Sequence, residues 1–481
     1  MLFNSLDFAL FLPIVFLLYW FIAHKNLKIQ NLLVAVASYF FYGWWDWRFL
    51  SLILFSTIVD YSIGLALANQ SNKRKRKILL WSSIIVNLGF LGFFKYYNFF
   101  LDNFISAFTF FGMEIQANSL NIILPVGISF YTFQTLSYTI DVYKEKLEPT
   151  KDFVAFAAFV SFFPQLVAGP IERASNLLPQ FYRRRKFDYD KATDGMRQIL
   201  WGLFKKVVIA DNCAEYANLI FDNSSDYSGS TLIMGAIFFA FQIYGDFSGY
   251  SDIAIGTARL FGFDLMKNFA FPYFSRDIAE FWRRWHISLS TWFRDYLYIP
   301  LGGSRGGTWM KIRNTFIIFI VSGFWHGANW TFIVWGALNA LYFLPIMLLG
   351  KNRDNIHYAT DIGFKTRILE LVQIISTFLL TILAWIFFRA RSVEHAMSYI
   401  YGIFTDSIFS YPEVFPIITI LLILLFVAIE WIQRKKEHGL NLNINHNILL
   451  NKPMRWLIYI AIIILIFTFG GSQQQFIYFQ F

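Results

Sequence analysis

The sequence predicts an all-α polytopic membrane protein with about 11–13 transmembrane or re-entrant helices and further helices at the membrane surface. Two features of the composition support this prediction. Of the 481 residues, 57% are hydrophobic and only 15% are charged, whereas soluble chains carry about 25% charged residues. The third observation is that the apolar residues fall into runs long enough for helices to cross a bilayer.

The apolar runs give the predicted helices in chain order. The main runs are Phe8–Ala23, Leu32–Trp45, Leu50–Leu67, Ile78–Phe94, Phe153–Leu166, Met234–Tyr244, Phe316–Trp330, Ile368–Phe388, Val414–Ile429 and Trp456–Phe469, and weaker ones are Phe99–Phe111 and Phe332–Leu349. The segment Ile122–Tyr138 fits either a full span or a re-entrant element. Pro125 and Gly127 favour a broken element there, which the membrane tolerates only where protein or water covers the backbone.

The charge pattern indicates cytoplasmic loops that face an anionic membrane leaflet rather than a nucleic-acid-binding protein. The net charge is +10, and the densest basic runs are Lys73–Lys77, Arg183–Lys186 and Arg434–Lys436. Because basic loops between spans tend to stay in the cytoplasm, we expect these three to face the cytoplasm, next to anionic lipid. No soluble basic domain is present to bind nucleic acid, and the single Cys213 excludes an intrachain disulfide.

The predicted domain organisation is one integral-membrane domain over residues 1–481, with two distinctive sections. Residues 271–313 lack a long apolar run but combine seven Trp and Tyr residues with seven basic residues. Such a mixture suits the membrane–water interface, so we expect short amphipathic helices, partly sunk into the protein. The second section is the aromatic tail, residues 471–481.

Two of the seven histidines are the candidate catalytic residues. His326 lies in the run F-W-H-G-A-N-W, and His286 lies in R-R-W-H-I-S within the aromatic basic section. An ionisable side chain at membrane depth is costly and therefore indicates function, and imidazole exchanges its proton near neutral pH. The alternatives are a helix-packing histidine at 326 and an interfacial histidine at 286. The remaining histidines, expected at span ends in polar surroundings, are His24, His357, His395, His438 and His446.

Polar residues near the histidines suggest a reaction chamber and an anion site. The run Y-G-D-F-S-G-Y-S-D interrupts an apolar region, and its candidate lining residues, together with one from the His326 motif, are Asp246, Ser248, Tyr250, Asp252 and Asn329. A satisfied hydrogen-bond network is the alternative for this cluster. Candidate phosphate-binding residues are Arg283, Arg284 and Arg305, the last in a glycine-rich turn. No spacing typical of a metal site occurs, so no metal is predicted.

Five motifs together resemble the membrane-bound O-acyltransferase (MBOAT) family, in particular its bacterial alginate O-acetylase and peptidoglycan O-acetyltransferase branch. The motifs are L-P-V-G-I-S-F-Y-T-F-Q (Leu124–Gln134), F-F-P-Q-L-V-A-G-P-I (Phe162–Ile171), G-D-F-S-G-Y-S-D-I-A-I-G (Gly245–Gly256), P-Y-F-S-R-D-I-A-E-F-W-R-R-W-H-I-S-L-S (Pro272–Ser290) and F-W-H-G-A-N-W (Phe324–Trp330). The resemblance extends over nearly the whole chain.

This resemblance implies a helical fold around a central chamber, with His326 as the catalytic histidine and His286 as the second motif histidine. It implies an acyl thioester donor, acetyl-CoA in the first instance, that is used from the cytoplasm. The final acceptor would be an extracytoplasmic glycan of alginate, peptidoglycan or exopolysaccharide type. In similar systems a separate periplasmic acetyltransferase or esterase-like protein completes the transfer.

The chemistry that follows is acyl transfer to a hydroxyl with His326 as general base. His286 would either donate a hydrogen bond to the oxyanion or orient the acceptor, and the sequence does not choose. The final six residues, F-I-Y-F-Q-F, fit F-x-Y-x-x-F and resemble the C-terminal motif of a small partner peptide in teichoic acid D-alanylation. By that resemblance Tyr478 is a candidate acyl carrier, and an aromatic membrane anchor is the alternative.

Two other classes of function remain open on the sequence alone. A proton-coupled transporter or flippase would use His326 and Asp246 as proton-relay groups, although no internal repeat is visible. A non-catalytic scaffold of a polysaccharide export complex would use the tail to bind a partner. The identity of the glycan and acyl group and the oligomeric state also stay open.

Overall fold

The computed structural model describes the whole chain except residues 114, 116, 117, 357–363, 406, 442–451, 471–473, 475 and 478–481, and for 364–367 it describes only the backbone. The described residues form helices and connecting segments without any β-strand, which confirms the predicted fold class. They divide into two compact units, Met1–Ala192 with Thr257–Leu265, and Thr193–Gly256 with Met266–Phe481.

The first unit contains the early apolar helices. They are α1 (Leu6–Leu17), α2 (Leu27–Gly43), α3 (Leu50–Ala68), α4 (Lys73–Leu91), α5 (Tyr97–Phe110), α6 (Ile128–Tyr143), α7 (Phe153–Ser161), α8 (Phe163–Leu166) and α9 (Ala174–Leu177). Within this unit α6 packs against α3 and α4, and α7 packs against α2.

The element around Pro125 is broken, as the sequence predicts. Helix α6 begins only after Gly127, whose φ of 75° lies in the left-handed region that glycine adopts without strain. A Cβ at this position would also lie 2.8 Å from the Leu166 carbonyl oxygen. Glycine therefore permits both the turn and the close approach of the backbone.

A fully buried carboxylate joins three helices of the first unit. Asp60 on α3 accepts hydrogen bonds from Ser83 (2.5 Å) and Asn87 (2.8 Å) on α4 and from Thr139 (3.0 Å) on α6. Since buried polar groups cost free energy unless they are hydrogen-bonded, these partners explain how an acid is accommodated among apolar helices.

The second unit contains the histidine motifs. Its helices are α10 (Tyr189–Leu203), α11 (Asp211–Asp222), α12 (Gly229–Leu260), α13 (Ile278–Arg284), α14 (Ile287–Phe293), α15 (Thr308–His326), α16 (Trp330–Leu348), α17 (Phe364–Arg389), α18 (Val393–Thr405), α19 (Ile417–Gln433) and α20 (Lys452–Phe469). A π-helical turn, Phe204–Ala210, continues α10 into α11. Aromatic residues dominate the core, with Trp201, Trp285, Trp335 and Trp385 all buried.

Within the described residues, six helices are long and apolar enough to cross a membrane, namely Trp47–Ala68, Lys73–Phe110, Gly229–Leu260, Trp330–Leu348, Ile368–Arg389 and Lys452–Phe469, and three shorter apolar helices are Leu6–Ile22, Phe153–Leu166 and Ile417–Gln433. The apolar window of α12 is 83% buried by protein and that of α20 only 6%. Helix α12 is therefore a core element, whereas α20 exposes its apolar side chains. Together with the family shown below, these helices define a multi-pass bacterial inner-membrane protein.

The section 271–313 forms short helices, as expected, but three of its aromatic side chains are buried more deeply than an interfacial position predicts. Tyr273, Trp285 and Trp292 all lie in the protein interior. One further expectation is wrong. His438, expected in a polar setting at a span end, is buried, and its Nε2 lies 3.2 Å from Asp194. His357 and His446 lie outside the described residues.

Candidate active site

His326 is the last residue of α15 and lies inside a box of aromatic rings. Its ring centroid lies 4.9 Å from that of Trp325, 5.2 Å from that of Trp335 on α16 and 5.3 Å from that of Phe388 on α17. The side chain is buried. Because three helices contribute to this box, the imidazole is held in a dry environment in which hydrogen bonds and charges act strongly.

Small residues bring α15 and α16 into direct backbone contact beside His326. A Cβ added to Gly323 would lie 2.1 Å from the Phe332 carbonyl oxygen, and a Cβ added to Gly336 would lie 2.3 Å from the Phe319 carbonyl oxygen. Neither position has room for a side chain. This contact fixes the end of α15, and therefore the position of the imidazole.

His286 lies between α13 and α14 in a conformation that is unusual for a residue with a side chain. Its φ of 43° and ψ of 55° place it in the left-handed region. Its ring centroid lies 4.6 Å from that of Phe247 on α12, and its Nδ1 lies 3.0 Å from Asn268 Oδ1. Burial lowers the pKa of His286 from 6.5 to about 3, so the imidazole is neutral at physiological pH.

Trp325 connects the two candidate histidines. Its ring centroid lies 6.1 Å from that of His286 and 4.9 Å from that of His326. The two histidines are 40 residues apart in the sequence, yet both contact the same indole. The structure therefore brings His286 and His326 into one aromatic cluster of the second unit.

The carboxylates of the candidate chamber lining are paired with buried lysines of the π-helical turn. Asp246 forms an ion pair with Lys206 at 2.8 Å, and Asp252 forms one with Lys205 at 2.5 Å. Ser248 accepts a hydrogen bond from Lys205 at 3.0 Å. These side chains therefore form a paired network, which is the alternative that the sequence left open for this cluster.

Part of the C-terminal tail packs against the same face of α12. The Ile477 backbone N–H donates to Asp246 at 2.7 Å, and Lys206 donates to the Gln474 carbonyl at 3.3 Å. The ring of Phe476 lies 4.3 Å from that of Tyr250, and both Phe476 and Ile477 are buried. Tyr478, the candidate acyl carrier, lies outside the described residues.

A cavity of about 560 Å³, here called the Trp282 cavity, opens next to the His326 box. Its apolar walls include Trp282, Leu289, Phe293, Ile318, Phe319, Phe343 and Met347, its neutral polar residues include Ser290, Ser304, Thr315, Ser322 and Asn352, and its cations are Arg294, Lys311 and Arg353. Ser322 lies one helical turn before His326 on α15. The Trp282 ring also contacts Trp335, one wall of the histidine box, at 5.7 Å.

Two of the three arginines that the sequence proposed for phosphate binding have partners within the protein. Arg283 donates to the carbonyls of Asn352 and Asn355, and the buried Arg284 forms an ion pair with Glu280 at 2.5 Å. Arg305 is exposed and is not among the residues that line the Trp282 cavity. The cations that line this cavity come instead from the end of α14, from α15 and from the segment after α16.

Asn329 has a structural contact as the N-cap of α16. Its side chain accepts a hydrogen bond from Thr331 N–H at 3.0 Å and donates to the Arg391 carbonyl at 3.0 Å. No group of three or more His, Cys, Asp or Glu side chains that could hold a metal ion occurs in the part of the chain the structure describes.

Sequence reasoning missed three sets of residues at this site, namely Asn268, the lysine pair Lys205 and Lys206, and the cavity cations Arg294 and Arg353. A signal existed for the lysines, because two adjacent cations followed by V-V-I-A in an apolar setting require acidic partners. Asn268 lies in an unremarkable loop, K-N-F-A-F. No local pattern distinguishes it.

Comparison with known proteins identifies the class of protein that this site belongs to. The model of the membrane-bound O-acyltransferase (MBOAT) family matches residues 148–387. The "Probable alginate O-acetylase AlgI" of Pseudomonas aeruginosa is 42% identical over 399 residues, which cover 82% of this chain and 73% of that protein. The chain therefore belongs to the membrane-bound O-acyltransferase family, and it is an acyltransferase.

Two other relatives are named for different acceptor polymers. The "Peptidoglycan O-acetyltransferase" of Helicobacter pylori is 37% identical over 431 residues, covering 84% of this chain and 79% of that protein. The "Teichoic acid D-alanyltransferase" of Bacillus subtilis is 29% identical over 232 residues, covering 46% of this chain and 58% of that protein. The family likeness thus extends over enzymes that are named for different polymers.

Proposed function

We propose that this protein is an O-acetyltransferase that takes an acetyl group from acetyl-CoA at the cytoplasmic side and passes it on for O-acetylation of an extracytoplasmic polysaccharide of alginate or peptidoglycan type. The names of the relatives at 42% and 37% identity support the acetyl group and the acceptor class. The observation that carries the proposal is the Trp282 cavity, which combines an apolar wall with three cations next to the histidine box.

The composition of this cavity suits an acyl thioester that carries phosphate groups. Arg353 is exposed and Lys311 is half-buried, whereas the exposed Arg294 also forms an ion pair with Asp295 at 2.7 Å. No acidic residue is among the described residues that line the cavity. Cationic side chains hold phosphate oxygens through charge-assisted hydrogen bonds. The apolar wall excludes water from the thioester, which would otherwise be lost to hydrolysis.

His326 acts as the general base in this proposal. Its imidazole removes the proton of the acceptor hydroxyl while the hydroxyl oxygen forms a bond to the acyl carbon. The C–S bond then breaks, and the proton passes to the leaving thiolate. Such assistance contributes roughly 10²–10⁴-fold to the rate, and the dry aromatic box strengthens the hydrogen bonds involved.

Tyr478 is proposed as the first acceptor, a transient acyl carrier that hands the group to a periplasmic acetyltransferase or esterase-like partner. The neighbouring part of the tail supports this. Ile477 is bound to Asp246 through its backbone, and Phe476 packs 6.2 Å from Phe247, which in turn contacts His286. The residues directly before Tyr478 are thus held close to the histidine cluster.

The test of the donor and the base uses purified protein in lipid vesicles with acetyl-CoA that is radiolabelled in the acetyl group. Wild type should consume the thioester, and His326→Ala should lower the rate by about 10²-fold or more while still inserting into the membrane. His395→Ala is the matched control, because His395 bonds Ser224 and is half-buried. Consumption that does not depend on His326 would contradict the proposal.

The carrier is tested by following the label onto the protein. Labelled acetyl should appear on the C-terminal peptide of wild type, be removed by hydroxylamine, and be absent from Tyr478→Phe. Tyr459→Phe on α20 is the control, because it removes a phenol hydroxyl that accepts a hydrogen bond from Arg197 at 2.9 Å. Unchanged glycan acetylation in Tyr478→Phe would exclude the carrier role.

A further inference from the structure

A buried asparagine, Asn268, contacts His286 through its side chain and the next residue, Ile287, through its backbone carbonyl. Its Nδ2 donates to Ser251 Oγ at 2.9 Å. Its Oδ1 accepts from Ser288 N–H at 3.3 Å and from Ser288 Oγ at 2.8 Å, and it lies 3.0 Å from His286 Nδ1. All four side chains are nearly inaccessible to solvent.

The orientation of the Asn268 side-chain amide follows from a neighbouring group that can only donate a hydrogen bond. The backbone N–H of Ser288 can only donate, so the amide atom that faces it must be the oxygen. The amide oxygen therefore also faces His286 Nδ1. Two acceptors 3.0 Å apart would repel each other, so Nδ1 must carry the proton. In a neutral imidazole Nε2 is then the acceptor atom.

Ser288 does not provide an alternative proton for Nδ1. Its Oγ lies 3.4 Å from His286 Nδ1 but only 2.8 Å from Asn268 Oδ1. A hydroxyl has one proton, and the shorter contact receives it. Asn268 Oδ1 is thus the partner that determines which nitrogen of the imidazole is protonated.

The backbone contacts explain how His286 keeps its left-handed conformation. Ile287 N–H donates to the Asn268 carbonyl at 2.8 Å, and Ala270 N–H donates to the Arg284 carbonyl at 2.9 Å. A non-glycine residue in this region is strained and persists where its surroundings fix it. The segment around Asn268 therefore fixes the backbone, the ring direction and the tautomer of His286 together.

His286 Nε2 is buried and has no hydrogen-bond partner among the described residues. A buried acceptor without a partner is costly in a folded protein, which indicates that a group outside the described residues supplies the missing donor. Burial also lowers the pKa of His286 to about 3, so the ring does not relieve this cost by taking a proton at neutral pH.

We propose that Asn268 is a positioning residue that holds His286 in the Nδ1–H tautomer, so that Nε2 accepts a hydrogen bond from an O–H or N–H group of the acyl acceptor other than the reacting hydroxyl. The proposal rests on the O-acyl transfer proposed above and settles the question that the sequence left open for His286. An Nε2 lone pair orients a hydroxyl donor, whereas it cannot stabilise an oxyanion. His286 therefore orients the acyl acceptor, and His326 removes the proton of the reacting hydroxyl.

The tautomer is measured directly by ¹⁵N NMR of the full-length protein, labelled on histidine and placed in lipid nanodiscs at pH 7. The His286 signals, assigned as those lost in His286→Gln, should show a protonated Nδ1 and an unprotonated Nε2. This readout does not depend on turnover. A protonated Nε2 in wild type would overturn the proposal even if the protein transfers acetyl groups.

The role of Asn268 is tested with two variants of similar size. Asn268→Leu removes the acceptor, so we expect loss of the single Nδ1–H tautomer and a fall in kcat of about 10²-fold with little change in KM for acetyl-CoA. Asn268→Asp keeps an acceptor atom and should keep the tautomer and recover most of the turnover lost in Asn268→Leu.

The control is Asn31→Leu, because Asn31 is equally buried but bonds Phe181 and Arg185 rather than a histidine. It should lower stability without changing the His286 signals. An Asn268→Leu variant with wild-type kcat and tautomer would refute the positioning role. Wild-type protein that consumes no thioester would instead refute the proposed acyl transfer, and the NMR result would still decide the tautomer.

Discussion

Replacing Asp246 by Asn should lower the free energy of unfolding by about 2–3 kcal/mol. Lys206 Nζ lies 2.8 Å from a carboxylate oxygen of both Asp246 and Asp211, and the side chains of Lys206 and Asp246 are each only 2% exposed. Removing one partner of a buried pair costs about 3–5 kcal/mol when the other charge is left alone. Here Asp211 remains, and the new amide oxygen still accepts from Ile477, so a smaller loss is expected.

The matched control is Asp264→Asn, because Asp264 pairs with Lys191 at 3.0 Å with side chains that are 65% and 51% exposed. An exposed pair contributes about 0–1 kcal/mol. The assay is chemical unfolding of each purified variant in mild detergent, followed by tryptophan fluorescence. Equal losses for the two variants would refute the reasoning that burial makes the Asp246–Lys206 pair the stronger one.

Three further predictions concern the histidine site and the cavity. In the folded chain His286 has a pKa of about 3, whereas in the unfolded chain it binds a proton near pH 6.5, so the free energy of unfolding falls as the pH drops from 6.5 towards 3. Unfolding measured at pH 7 and pH 5 should show a smaller loss of stability in His286→Gln than in wild type. Gly323→Ala forces a Cβ to 2.1 Å from a carbonyl oxygen of α16 and should lower the free energy of unfolding by about 1–3 kcal/mol. The control is Gly92→Ala, whose Cβ would have no atom within 4 Å and which should leave the free energy of unfolding nearly unchanged in the same assay. Lys311→Gln and Arg353→Gln should each raise KM for acetyl-CoA about 10-fold with little change in kcat, measured by steady-state kinetics. With an acetyl thioester that lacks phosphates, neither variant should raise KM. An equal rise in KM for that substrate would exclude phosphate binding by these cations.

The sequence predicts the helical class and many of the breaks because these depend on short-range properties. Apolar runs of span length form helices in lipid whatever their neighbours are. The break at Gly127 follows from a proline and a glycine within three residues. His326 and His286 could be selected because ionisable side chains among tryptophans are unusual at any position in such a chain.

The same local reasoning failed where a charged or ionisable side chain has its partner within the protein. His438 was expected to be a surface or interfacial histidine near a span end, yet it is buried and its Nε2 lies 3.2 Å from Asp194, 244 residues away. Arg284 was a phosphate candidate, but Glu280, one turn earlier, already pairs with its charge. A charged side chain does not reveal in the sequence whether its partner is substrate, solvent or protein.

By itself, therefore, the sequence determined that this chain is a helical membrane acyltransferase and that two histidines deserve a catalytic test, because hydropathy and motif chemistry are written along the chain. Only the tertiary structure decided which atoms meet. In the folded chain both histidines contact Trp325, and the carboxylates of Asp246 and Asp252 on α12 pair with Lys206 and Lys205. The side-chain amide of Asn268 contacts His286. The direction of a hydrogen bond depends on distances of about 3 Å between residues far apart in sequence, and only folding establishes those distances.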